Sequence, residues 1–198
     1  GKMPSPILIA FVLSYFLGSI PFSYLIAKKV KNIDVRKMGE GNVGARNVWH
    51  TVGKKYGIFA GVLDAGKGLA AWGVGRLMGL DVPWIWFCGL GVVLGHSFPV
   101  FLKGRGGKGV ASAFGFLLGM QPLVIFISSG LLLLFYVPFR NFHLALAVSM
   151  ASIPLFWKVI VKKSWEEVGF LAVFLIILGL KRLIDEPYMK KIRQTSGW

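Results

Sequence analysis

Carboxylates are scarce in this chain: 198 residues carry eight Asp and Glu against 23 Lys and Arg. A single cysteine, Cys88, allows no internal disulfide and no cysteine-based metal cluster. The three histidines, His50, His96 and His143, show neither an H-E-x-x-H pattern nor any other metal spacing, so no metal and no cofactor is expected. A Walker A turn is missing as well, since no glycine lies five residues before a Gly-Lys-Ser/Thr step. Charged residues make up only 16% of the chain and hydrophobic ones 55%, too little polar surface to wrap a soluble fold of this size. The net charge of +15 does not point to nucleic acid, because the cations sit in short loops between apolar runs; anionic lipid and phosphate-bearing substrates suit that pattern better.

Apolar sequence is what the chain has in quantity. Residues 6–27 supply about 22 apolar or small positions, enough to cross roughly 30 Å of hydrocarbon at ~1.5 Å per residue. This segment has no A-x-A-like exit and runs on into Ile20-Pro21-Phe22, so it is expected to remain as a span and not to be cleaved as a signal. Further spans are expected at 57–77, 83–102, 142–157 and 168–180. The apolar stretch 109–137 is too long for one ordinary span and is interrupted by Gly119, Gln121 and Pro122. It fits either one kinked helix or a short helix of about ten residues followed by a full one. Charge separates the two. Seven spans place 17 Lys and Arg on the cytoplasmic side against four outside, whereas six spans give 14 against seven. The positive-inside rule therefore favours seven. The expected fold is an all-α integral membrane protein, a single transmembrane domain over residues 1–198, with one of its seven helices short or re-entrant, the N-terminus outside and the C-terminus cytoplasmic.

Two glycine-rich elements share the cytoplasmic face in that arrangement. Lys103-Gly104-Arg105-Gly106-Gly107-Lys108-Gly109 lies between apolar segments. Its glycines permit turns in which amides converge, its cations add full charge, and a helix starting at Val110 would aim its N-terminus at the same anion. A basic loop that only fixes topology has the same composition. Gly39-Glu40-Gly41-Asn42-Val43-Gly44-Ala45-Arg46-Asn47 adds two asparagine side chains and a guanidinium able to grip phosphate bidentately; a flexible surface turn is the plainer alternative. Asp64 and Lys67, three apart, share a helix face within a span, where charges either face a polar cavity or neutralise each other. His96, near the cytoplasmic end of its span, offers an acid, a base or a hydrogen-bond donor. None of the histidines is followed five residues on by an acid, Lys55, Phe101 and Val148 standing there, which excludes the His-x4-Asp pair of soluble-type glycerolipid acyltransferases.

Taken in order, Gly18-Ser19-Ile20-Pro21-Phe22, Gly41-Asn42-x-Gly44-Ala45-x-Asn47, Asp64-x-x-Lys67-Gly68, Gly95-His96-x-Phe98-Pro99-Val100-Phe101 and Gly106-Gly107-Lys108-Gly109-Val110-Ala111 resemble the bacterial PlsY family. The resemblance runs from about residue 10 to residue 120, and beyond that it rests on hydropathy. It implies an acyl-phosphate:glycerol-3-phosphate acyltransferase of seven spans that makes lysophosphatidic acid at the cytoplasmic face of the bacterial inner membrane. It also implies a direct attack by the acceptor hydroxyl, with a substrate phosphate taking the proton, and it matches Lys108 to the family's essential lysine. Acyl phosphate, a phosphorylated polyol and membrane lipid are the partners it implies.

Departures from the family pattern fall at several of these positions. Glu40 stands where the family has serine, His50 where it has arginine, Arg46 in a threonine position, and Arg105 for the first lysine of the glycine loop. In the tail, Lys181-Arg182-Leu183-Ile184-Asp185 replaces both polar members of an Arg-His-x-x-Asn pattern. The expected catalytic residues are Lys108, Arg46 and His96. Substrate binding is expected from Gly39, Glu40, Gly41, Asn42, Gly44, Asn47, His50, Lys67, Arg105, Gly106, Gly107, Gly109, Arg182 and Asp185. An acyltransferase is the first reading. A binding or transport protein for a phosphorylated lipid precursor, or acyl transfer to another acceptor, is the alternative that the replaced residues raise.

Overall fold

The computed structural model describes residues 5–196, and among these the secondary structure is helical throughout. Lys2, one of the cations assigned to the outer side, lies outside them. The first expected span is broken. Helix α1 (Pro6–Ser19) ends at Ile20, which is extended, and α2 (Phe22–Lys31) begins beyond Pro21. A proline without an N–H, which also keeps its predecessor out of the helical region, forces that interruption. Lys67 closes the gap, its Nζ donating to the carbonyls of Gly18 at 2.8 Å and Ile20 at 2.9 Å.

The polar stretch 28–56 is structured. It holds a tight helical turn at Val35–Lys37 and a short helix, α3 (Ala45–Thr51). After it come α4 (Lys54–Leu77), α5 (Trp86–Ser97), α6 (Val110–Met120), α7 (Pro122–Phe139), α8 (Phe142–Val159) and α9 (Trp165–Thr195). The stretch 109–137 is thus a short helix followed by a full one, parted at Gln121-Pro122. Helix α9 runs further than expected: the tail from Lys181 continues as helix, with an i,i+4 ion pair between Lys181 and Asp185 supporting the extension.

Among the described residues three helical stretches are long and apolar enough to cross a membrane: Pro6–Lys31 taken across its break, Pro122–Phe139 and Phe142–Val159. Leu133, Leu134 and Val137 on α7, Leu8 and Leu13 on α1 and Leu155 on α8 are exposed, an outer surface suited to lipid. The short α6 is held against α4 by backbone contact. A Cβ on Gly68 would come within 1.9 Å of the Ser112 carbonyl, and one on Gly115 within 1.8 Å of the Ala65 carbonyl. Small residues allow this closeness, and packing replaces the hydrophobic drive that helices lack in lipid. The core is aromatic: the ring of Trp86 lies 5.6 Å from Phe174, 5.8 Å from Phe116 and 6.2 Å from Trp157, joining α5, α6, α8 and α9. Helices α7 and α8 are tied by Ser149, which donates to the Ser128 carbonyl at 2.7 Å, and by Ser152, which donates to the Ser128 hydroxyl at 2.9 Å.

Candidate active site

The glycine loop leaves α5 through Pro99 and a tight turn at Val100–Leu102, then passes Lys103 and Gly104 in left-handed backbone. The amide of Gly106 donates to the Ser97 carbonyl at 3.2 Å and that of Gly107 to the His96 carbonyl at 3.1 Å. These two glycine amides therefore anchor the loop to α5 and do not point at a guest. Gly107 must be glycine, since a Cβ there would lie 2.3 Å from His96 Nε2 and 2.4 Å from the Val43 carbonyl. Gly109, at φ +80°, starts α6. The anion-facing elements are the Lys108 side chain and the first turn of α6, whose amides have no partner within the helix.

Asn47 shapes the 39–47 loop. Its side chain is fully buried, accepting from the Glu40 amide at 2.9 Å and donating to the carbonyls of Val35 at 2.8 Å and of Met38 and Asn42 at 3.0 Å. That arrangement turns Glu40 inward. Its carboxylate is ion-paired with Arg46, lies 3.6 Å from Lys108 Nζ and accepts from Asn42 at 3.3 Å. Burial drives the Lys108 ammonium down from 10.5 to about 8, and the guanidiniums of Arg182 and Arg46 push it the same way. Burial likewise lowers Arg46, with Arg182 adding to the effect, and lowers His50, with Arg46 adding there.

A buried chain of charges backs this wall. Asp64 Oδ1 lies 3.0 Å from Lys67 Nζ and 3.5 Å from His96 Nδ1. From the other side α9 brings Arg182, whose Nη1 is 3.2 Å from His143 Nδ1 at the start of α8.

Two of the cavities among the described residues are lined by both loops. The first, of about 350 Å³, has a cationic mouth of Arg46, Lys108 and Arg182 with Glu40, Asp64, His96 and His143. An apolar arm leads away from it between Val110, Phe114, Leu132, Leu146, Met150 and Leu178. The second, of about 290 Å³, is lined by Arg36, Gly41, Arg105, Gly106, Lys181 and Asp185, with Phe98 and Tyr188. Its cations are largely committed: Arg36 to Asp34, Lys181 to Asp185, and Arg105 to the face of Tyr188. The Arg36 pair holds the Asp34 carboxyl below its usual value.

A cationic mouth opening into an apolar arm has the form of a phosphorylated or acylated amphiphile, and known proteins bear on it directly. The family described as glycerol-3-phosphate acyltransferase matches residues 8–186. The chain belongs to the glycerol-3-phosphate acyltransferase family. A relative from Geotalea daltonii of that name is 38% identical over 151 residues, 76% of this chain and 77% of its own. Among solved structures, the chain is similar to PlsY (YgiH), described as an integral membrane glycerol 3-phosphate acyltransferase. The glycerol 3-phosphate form superposes with a TM-score of 0.82 at 32% identity, covering 98% of this chain and 94% of that one. The lysophosphatidic acid form gives 0.81 at 32% identity, covering 98% and 93%.

Within this acyltransferase fold the residues singled out from the sequence are sorted by position. Glu40, Asn42, Gly44, Arg46, His96, Lys108, Gly109 and Arg182 line the first cavity. Gly41, Arg105, Gly106 and Asp185 line the second. Gly39, Asn47, His50, Lys67 and Gly107 line neither. Lys67 and Asn47 direct their donors to protein groups, and His50 is exposed on α3. Asp64, His143, Arg36 and Tyr188 line the cavities without having been singled out for them. The Asp64-x-x-Lys67 spacing was a signal for the first of these. Nothing local in the sequence marks the other three, because tertiary packing of α8 and α9 brings them in.

Proposed function

We propose that this protein is a membrane acyltransferase that moves a fatty acyl chain from acyl phosphate to glycerol 3-phosphate, giving lysophosphatidic acid for phospholipid synthesis. The observation that carries the reading is the first cavity: Arg46, Lys108 and Arg182 at one end and Phe114, Leu132 and Met150 along its arm suit a phosphate joined to an acyl chain. Lys108 neutralises the phosphate as it departs, Arg46 and Arg182 hold phosphate oxygens, and His96, oriented by Asp64, keeps the glycine loop in place. The protein is read as a single transmembrane domain of seven spans counting the short α6, with the N-terminus outside, the C-terminus cytoplasmic and the site facing the cytoplasm at the bacterial inner membrane. The 17-to-four excess of Lys and Arg on that side supports this orientation. Purified protein in lipid, given acyl phosphate and glycerol 3-phosphate, should release inorganic phosphate and form lysophosphatidic acid in equal amounts. Absence of both products under conditions where a family member turns over would defeat the reading.

A further inference from the structure

Two carboxylates line the first cavity, and they are held very differently. Asp64 belongs to the interior, its oxygen shared between Lys67 and His96. Glu40 reaches in from the loop on a backbone pinned by Asn47, and its oxygens occupy the two cations best placed for a substrate phosphate. Arg46 is paired with Oε1, Lys108 lies 3.6 Å from Oε2, and Asn42 donates to Oε2. Only 4% of the residue is exposed. The protein's own carboxylate thus sits among the cations of the cradle.

A phosphate cannot enter without disturbing that arrangement. It draws Arg46 and Lys108 toward itself and leaves a buried carboxylate facing like charge, a situation that favours uptake of a proton. The attacking hydroxyl has one to give. We infer that Glu40 is the proton acceptor in acyl transfer, kept idle by Arg46 and Lys108 until the substrate phosphate claims those cations. This rests on the acyltransferase reading above and adds to it a residue that couples substrate binding to basicity.

The acceptor hydroxyl oxygen attacks the acyl carbonyl carbon, and a new ester C–O bond forms. The bond from that carbon to the phosphate oxygen breaks, its electron pair staying with the phosphate. The hydroxyl proton passes to Glu40. As the phosphate leaves it carries this proton away, and Glu40 closes again on Arg46 and Lys108. Charged and titratable groups surround the Glu40 carboxylate and its cations: Arg46 and His50 from α3, Lys108 from the glycine loop, Asp64 from α4, His96 from α5, Tyr136 from α7, His143 from α8, and Arg182, Glu186 and Arg193 from α9.

The test is steady-state phosphate release in lipid by the wild type, Glu40→Gln and Glu40→Asp, as a function of pH. Glu40→Gln should lower kcat by about 10²-fold or more while KM for acyl phosphate stays level or falls, because the internal competitor has lost its charge. The wild-type kcat should decline on the acid side as Glu40 stays protonated, Glu40→Asp should keep that limb at reduced kcat, and Glu40→Gln should lose it. A Glu40→Gln kcat within about threefold of wild type, with the acid limb intact, overturns the inference and returns the proton to the phosphate. Should Glu40→Gln fail to fold, a wild-type kcat that is flat below neutrality overturns it equally. A wild type without turnover defeats the acyltransferase reading itself, so the two failures are told apart before any variant is made.

Discussion

Lys108 is a cation in a place that disfavours cations. Its ammonium is buried beside Arg46 and Arg182, and its pKa falls to about 8. A lysine with a lowered pKa is charged below that value and neutral above it, so its pull on phosphate weakens as pH rises through 8. The kcat/KM for the phosphate substrates, which reports ionisation in the free enzyme, should therefore fall above about pH 8. In Lys108→Arg that alkaline limb should move upward, since a guanidinium stays protonated. An unmoved limb in Lys108→Arg would assign the ionisation to another group. Glu40 pairs with Arg46 at the start of α3, and the same helix carries His50 a turn further on at an exposed position.

Among the helices, α6 matters most for the site, because its first turn forms the floor of the cationic mouth and its flank lies on α4. At 11 residues it extends only about 16 Å at 1.5 Å per residue, so its place depends on side packing and not on spanning. Gly68→Ala would drive a Cβ into the Ser112 carbonyl, backbone that cannot rotate aside. The cost should be about 1–3 kcal/mol, read as a lower unfolding midpoint in detergent, with activity falling as α6 is displaced. An unchanged midpoint would show that α4 and α6 stand further apart than described. The break between α1 and α2 is held by a charge from α4, Lys67, which donates to the Gly18 and Ile20 carbonyls at the interruption.

For the whole molecule the distribution of Lys and Arg predicts which way it faces. In a Cys88→Ala background, an impermeant thiol reagent applied from outside should label Glu166→Cys, in the loop-proximal turn of α9, and spare Lys55→Cys at the start of α4. Both side chains are exposed, so access alone does not bias the outcome. The reverse pattern, or equal labelling, would overturn the seven-span orientation. Assembly at this scale also explains why the site has two cavities. The tail of α9 passes over both loops: Tyr188 donates to the Arg36 carbonyl at 3.1 Å, and Ile192 packs where a Cβ on Gly41 would stand. One helix then presents Arg182 to the first cavity and Asp185 to the second.

The sequence alone determined the helical, membrane-suited character, the short-then-long division of 109–137, the two glycine loops and the family. Each of these follows from quantities that add up along neighbouring residues: apolar length, prolines, glycine spacing and loop charge. Only the tertiary structure decided that the amides of Gly106 and Gly107 face α5, that Lys67 serves α1, and that Glu40 closes on Arg46 and Lys108. It also decided that Arg182 meets His143, 39 residues away in the chain. These depend on where buried charges and orphaned carbonyls find partners across the fold, and no local pattern records that choice.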